Sequence, residues 1–147
     1  MGKYVTAAEA VQVVKSGDRV YVQAAAATPT ILTKALADRA SALRNVEVCH
    51  LHTEGDAPYA NPELAESFHV NSFFIGANVR HTLKAGNGSY TPVFLSELPL
   101  LFRKNVVKLD VAFIHVSPPD SHGYCSLGVS VEASVAAIEN AKIVIAQ

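Results

Sequence analysis

Short apolar runs recur along the chain, and most are followed by a stretch in which apolar residues return every three or four positions. The runs at 19–23 (RVYVQ), 46–51 (VEVCHL), 68–75 (FHVNSFFI), 90–95 (YTPVFL), 110–116 (DVAFIHV) and 142–147 (KIVIAQ) predict strands. Helical stretches lie between them. Thr6 and Glu9 form a capping box that opens a helix through about Lys15, and Ser16-Gly17-Asp18 ends it. The next helix starts at Thr28-Pro29, with the threonine as N-cap and the proline as first helical residue. Ile31, Leu32, Ala35, Leu36 and Ala40 mark its buried stripe. Asn61-Pro62-Glu63 repeats the cap-then-proline start for a short helix to Ser67. Further helices run from the turn at 76–78 to Gly86, a natural helix stop, from Ser96-Glu97 to about Lys104, and over 129–141.

Strands alternating with helices define an α/β domain: an open, mostly parallel sheet with helices on both faces. A length of 147 residues suits one domain. The last run, 142–147, reads as a buried strand with no turn or charged tail after it. Chain ends usually lie at the surface, so this pattern implies one part of a longer protein; the alternative is a final edge strand.

Composition narrows the function classes. Half of the residues are hydrophobic and 17% are charged, which excludes a disordered chain. The net charge is -1 with no basic stripe, which argues against a nucleic-acid partner. Charged residues interrupt every apolar run before it could span a bilayer, which argues against a membrane partner. The first 17 residues contain Glu9 and lack a signal-type apolar core. Cys49 and Cys125 match no metal-ligand spacing, and Cys49 falls in a strand as a small core residue. The expectation is a reduced, cytoplasmic protein without a metal.

Chemistry is expected in the loops at the carboxyl ends of the strands. Residues 117–128, SPPDSHGYCSLG, combine stiff backbone with polar handles on Asp120, Ser121, His122, Tyr124 and Ser126. Ser121, His122 and Asp120 are adjacent in sequence, so their side chains diverge and do not make a hydrolase triad. Residues 23–29, QAAAATP, carry small side chains before a helix start whose free N–H groups would suit an anion or a developing oxyanion. In the 52–55 loop, Glu54 beside Gly55 is a candidate acid, base or nucleophile, though charged loop residues are usually just solvated. His50 and His52 alternate along one strand but have no third ligand at a telling spacing. Asn78 could cap a helix and Arg80 could hold an anion. No dinucleotide fingerprint, Walker loop or zinc-protease motif is present.

The run VSPPDSHGYCSLG at 116–128 resembles the signature of the acetyl-CoA hydrolase/transferase family, which includes 4-hydroxybutyrate and butyrate:acetate CoA-transferases. Residues 16–20 with the loop ending at Thr28-Pro29, residues 52–59 and residues 74–80 are also similar to that family. Members are about three times as long, with two similar α/β halves, so the resemblance implies the N-terminal half and the CoA-transferase-like fold. It implies a glutamate that attacks the acyl-CoA and becomes a glutamyl-CoA thioester, which a second carboxylate then resolves. That glutamate is expected beyond Gln147, not at Glu54, and the chain alone is expected to be inactive.

The resemblance leaves this chain the substrate-side wall: Gln23, Ala26, Ala27, Thr28 and Pro29, then Asn78, then Ser117, Pro118, Asp120, His122 and Tyr124. One departure is that the family has glycines where this chain has alanines at 24–27, which restricts close backbone approach. No permanent cofactor is implied, and coenzyme A enters as substrate. The implied partners are acyl-CoA, a short-chain carboxylate, the C-terminal half of the same enzyme and further copies in a homo-oligomer. Alternatives are an acyl-CoA hydrolase of the same family and a non-catalytic domain that binds a small carboxylate at the Thr28-Pro29 helix start. A sugar-phosphate isomerase-like domain is disfavoured, because no Asp and Lys pair stands at the loop tips for proton transfer.

Overall fold

Val20 and Val22 point to one face of the central strand and Tyr21 to the other, and all three are fully buried. This strand, β1 (Arg19–Val22), pairs with β2 (Val46–His50) on one side and β5 (Val111–Ile114) on the other. The structure, a computed structural model, describes residues 3–147. β3 (Phe68–Ser72) and β4 (Gly88–Tyr90) extend the sheet beyond β2, and β6 (Ile143–Ala146) extends it beyond β5. The order is β4-β3-β2-β1-β5-β6, and every pairing is parallel. The chain walks outward from β1 to β4 and then returns to β1's other side. That reversal is the topological switch point, and open α/β sheets bind ligands in a crevice outside the carboxyl ends of the strands at such a point.

Both faces are covered, which is why these strands read as apolar runs. On one face, α1 (Ala7–Ala10), its continuation as a 3-10 turn, and α2 (Thr30–Ala37) pack Val11, Leu32 and Leu36 onto Val20, Val48, Val70 and Phe113. On the other, α4 (Leu98–Arg103) and α5 (Ser134–Asn140) pack Leu98, Phe102, Ala136 and Ala137 onto Tyr21, Cys49 and Ala112. Phe102 meets Tyr21 and Phe73 edge-on, with ring centroids 5.5 and 6.0 Å away. A polar ladder crosses three strands and reaches the residue after β4: Arg19 pairs with Glu47 at 2.8 Å, Asn71 donates to Glu47 at 2.9 Å, and Thr91 donates to Asn71 at 2.9 Å. A one-residue slip would break every rung, so the ladder supports the register.

The local signals hold where they rest on hydrogen bonds within a few residues. The Thr6–Glu9 capping box forms in both directions. Asn61 accepts from the Glu63 N–H at 3.0 Å and opens a 3-10 turn, Pro62–Leu64. Gly86 ends α3 (His81–Ala85) at φ 83, a conformation other residues rarely adopt. Other expectations are corrected. α2 begins at Thr30, one turn position late, and Thr28 does not cap it. Ile31 leaves the buried stripe and is 60% exposed, because the helix start lies over the rim of the sheet. The strand expected at 90–95 ends at Tyr90, where Pro92 cannot donate to a ladder. Asn78 precedes α3 by three residues and caps nothing. Within residues 3–147, β6 stands last in the sheet order, with Ile143 and Val144 about 40% exposed. Among the described residues, no helix is long and apolar enough to cross a membrane.

Truncating Phe102 to Ala should destabilise the chain by about 3–5 kcal/mol, since it removes the ring that joins Tyr21 of β1 and Phe73, just past β3, to α4. Ile31→Ala should stay within about 0.5 kcal/mol. Urea midpoints of the two variants check this, and similar midpoints would refute the assignment of the core.

Candidate functional site

Gln23 stands at the switch point, just past β1, and is fully buried. Its Oε1 accepts from the His115 N–H at 2.8 Å, and its Nε2 donates to the carbonyls of Leu127 at 3.2 Å and Ser130 at 2.7 Å. One amide thus ties the end of β1 to the end of β5 and to the return of the 117–128 loop. Both of its N–H groups are engaged by backbone, so Gln23 serves the wall of the crevice.

The alanine loop follows. Ala25 adopts φ 51, and its N–H donates to the His52 carbonyl at 2.9 Å. Ala27 and Thr28 turn back onto Ala24 and Ala25 at 3.2 and 3.1 Å. Ala24 donates to Glu132 Oε1 at 3.3 Å. The N–H of Ala26 has no protein acceptor among the described residues, and the residue is exposed. The Thr28 hydroxyl donates to the Ala25 carbonyl at 2.8 Å and accepts from the Glu54 N–H at 3.1 Å. It knits the loops after β1 and β2, and Pro29 is buried beside it. The α2 start is not open to an anion: Gln147 Oε1 accepts from Ile31 and Leu32 at 2.9 and 3.2 Å.

The 52–55 loop is braced from β3's side. Asn78 Nδ2 donates to the carbonyls of Thr53 at 2.9 Å and Gly55 at 3.0 Å. Glu54 is exposed, and its carboxylate has no partner among the described residues. A groove of about 480 Å³ runs beside it, lined by Thr28, Ile31, Lys34, Asp38, Glu54 and Asp56 among others. Three acids against one lysine repel an anion there. Arg80 is exposed.

The 117–128 loop holds its own shape. Ser117 donates from its N–H to the Ser126 carbonyl, and its Oγ accepts from the Ser126 N–H, both at 2.9 Å. Asp120 Oδ1 accepts from the N–H groups of His122 at 2.8 Å and Tyr124 at 2.9 Å. Pro118 is exposed with the rest of 117–126, and Tyr124 is 75% exposed. Ser117 and Asp120 therefore scaffold the loop, while the side chains of His122 and Tyr124 face outward. Ser121 and His122 stand 3.4 Å apart in solvent, and Asp120 turns its carboxylate to backbone, so no triad forms.

Hydrogen bonds draw the alanine loop, Thr28, Thr53, Glu54 and Asn78 into one neighbourhood next to Gln23, and among the described residues none links residues 118–124 to it. The structure adds a residue that sequence reasoning missed. Glu132 Oε1 accepts from Tyr21 Oη at 2.6 Å and Ser134 Oγ at 3.0 Å as well as from Ala24. Burial and then Glu132 hold the Tyr21 phenol well above its usual range. The sequence places Glu132 inside an expected helix, where an acid looks like ordinary surface; no local pattern marks it. His50 and His52 do not act together: His50 is fully buried against Tyr59, and His52 packs edge-on against the exposed Phe74. No cluster of three metal-ligating side chains occurs among the described residues.

A parallel sheet with helices on both faces and its rim loops gathered at a switch point defines a doubly wound α/β domain. The chain belongs to the acetyl-CoA hydrolase/transferase family, whose N-terminal domain matches residues 1–147. It is 45% identical over 135 residues to the succinyl-CoA:acetate/propanoyl-CoA:succinate CoA transferase of Fasciola hepatica, covering 90% of this chain and 28% of that protein. The structure of RipA from Yersinia pestis superposes with a TM-score of 0.87 at 29% identity, covering 97% of this chain and 35% of that one. The 4-hydroxybutyrate CoA-transferase of Porphyromonas gingivalis superposes with a TM-score of 0.77 at 34% identity, covering 97% of this chain and 32% of that one. The chain thus spans about a third or less of the length of these relatives.

Two outcomes follow from the buried polar groups. Among the described residues both ring nitrogens of His50 lack partners, and burial pushes its pKa down from 6.5 to about 4. The unfolded chain then binds a proton that the folded chain refuses between those values. Stability should be full above pH 6.5 and fall by roughly 3 kcal/mol toward pH 4, and His50→Leu should flatten that limb. Urea midpoints across this range measure it; an unchanged slope in the variant would refute it. Gln23→Leu should cost at least about 1–3 kcal/mol, because it strands the His115 N–H and two carbonyls. Hydrogen exchange should show the 127–130 segment loosening first, and uniform loosening would count against the clamp.

Proposed function

We propose that the chain forms the acyl-side wall of a CoA-transferase that moves CoA between an acyl-CoA and a short carboxylate. The observation that carries this is the match of the whole chain to the family's N-terminal domain, with CoA transferases among its relatives. The acyl groups in view are acetyl, butyryl and 4-hydroxybutyryl. A glutamate outside residues 1–147 attacks the thioester carbonyl, giving an acyl-glutamyl anhydride and free CoA thiolate. The thiolate attacks the glutamyl carbonyl, which releases the first carboxylate and leaves a glutamyl-CoA thioester. A second carboxylate reverses both steps and departs as the new acyl-CoA. CoA is a substrate, and no resident cofactor is needed.

This wall contributes donors and shape. The unengaged N–H of Ala26 at the switch crevice suits a developing oxyanion, and its neighbours carry only methyl groups. The outward His122 and Tyr124 would border the cleft from the 117–128 loop, held by Asp120. The rival reading, a free-standing domain that binds a small carboxylate at the α2 start, is weakened by Gln147 on those N–H groups and by the acids of the nearby groove.

The test uses the full-length protein with each of the three acyl-CoAs and labelled acetate. Label should pass into acyl-CoA, and borohydride should inactivate the enzyme only after exposure to acyl-CoA, since it reduces a thioester. Release of free CoA without an acceptor would assign hydrolysis instead, and no turnover of either kind would sink both readings. Residues 1–147 alone should show none. In the full-length enzyme, His122→Ala should lower kcat/KM on the order of tenfold. Asp120→Ala should lower it at least as much, because it frees both side chains at once.

A further inference from the structure

Residues 24–27 are all alanine, so the loop that borders the crevice cannot hold itself with side-chain hydrogen bonds. Its shape has to be imposed from outside. Beyond its own tight turns, two acceptors do so: the His52 carbonyl for Ala25, and Glu132 Oε1 for Ala24. Glu132 lies 108 residues from Ala24 and 111 from Tyr21, and the same oxygen also takes Ser134 Oγ, two residues on. A single atom therefore joins two points at the end of β1 to the start of α5. All three donors converge on Oε1, and Oε2 has no protein donor among the described residues.

The arrangement is costly. Glu132 has φ 20, on the positive side that side-chain-bearing residues avoid. Glycine would relieve that strain, and a surface acid would not need it. Backbone strain of this kind persists where the surroundings over-determine it, and it clusters at functional sites. The consequence is local: with Ala24 and Ala25 pinned, the Ala26 N–H is left exposed and unengaged at the crevice.

We infer that Glu132 is a positioning residue that holds the alanine loop for the acyl group, acting through Ala24 and Tyr21. This rests on the transferase reading given above. A group that presents a donor to charge developing in the transition state changes kcat more than KM.

The experiment uses the full-length protein with Glu132→Gln, Glu132→Asp and Glu132→Gly. Glu132→Gly should lower kcat by tenfold to about a hundredfold with KM for acyl-CoA within about threefold, although it relaxes the backbone. Glu132→Gln keeps an acceptor oxygen without the charge and should fall between it and the parent. Glu132→Asp should restore part of the loss, because the charge remains. Independently of activity, hydrogen exchange in Glu132→Gly should speed at the Ala24 and Ala25 amides by at least about tenfold, with the Val20 and Val22 amides unchanged. A uniform rise in exchange across β1 and α5 with unchanged kcat per folded molecule would show a merely structural bond and overturn the proposal. If the parent protein neither transfers nor hydrolyses, the transferase reading fails, and the exchange contrast alone decides whether Glu132 positions the loop.

Discussion

The buried amide of Gln23 is the bond on which the crevice depends. β1 and β5 are neighbours in space but are separated by the whole outward walk to β4, so nothing in the local chain keeps their ends in step. A side-chain amide can accept from one strand end and donate twice to the returning loop, and Gln23 does all three. A carboxylate would face two carbonyl oxygens there, and an apolar side chain would leave three backbone groups unpaired. Placing the 127–130 segment in turn places Glu132, and Glu132 places the end of β1. The floor of the crevice is thus a closed circuit of polar contacts between segments about a hundred residues apart.

The rim divides its labour by how each loop is held. The 117–128 loop is stiffened by its own Ser117–Ser126 and Asp120 bonds, and it leaves His122 and Tyr124 free to meet something outside this wall. The alanine loop has no such means and is held from both sides by Glu132 and the His52 carbonyl. The 52–55 loop is braced by Asn78 and Thr28. What results is a preorganised wall with an unengaged N–H. The nearby carboxylate of Glu54 is solvated and unsupported, as expected of an ordinary charged loop residue.

The strands were legible in outline because burial on both faces of a parallel sheet leaves apolar runs that need no partner to be seen. The Thr6–Glu9 box, the Asn61 turn and the Gly86 stop were legible because their hydrogen bonds and dihedrals close within a few residues. Legibility failed at the element ends. Thr28-Pro29 carries the signature of a helix start, yet Thr28 finds better partners in Ala25 and Glu54, and Gln147 takes the Ile31 and Leu32 N–H groups at that start. The terminal run is apolar, and its place beside β5 is a property of sheet order, which periodicity does not encode.

Taken alone, the sequence determined the α/β class, the parallel sheet covered on both faces, the loops that could carry chemistry and the family to which their motifs belong. Each of these is written in local pattern or motif. Tertiary structure decided which polar groups are free and which are engaged: Gln23 and Asn78 turned to bracing, the α2 start capped, Glu132 drawn into the crevice, and the Ala26 N–H left open. The physical reason is that a buried polar group must find a partner, and here most of those partners lie on other strands' loops, far along the chain.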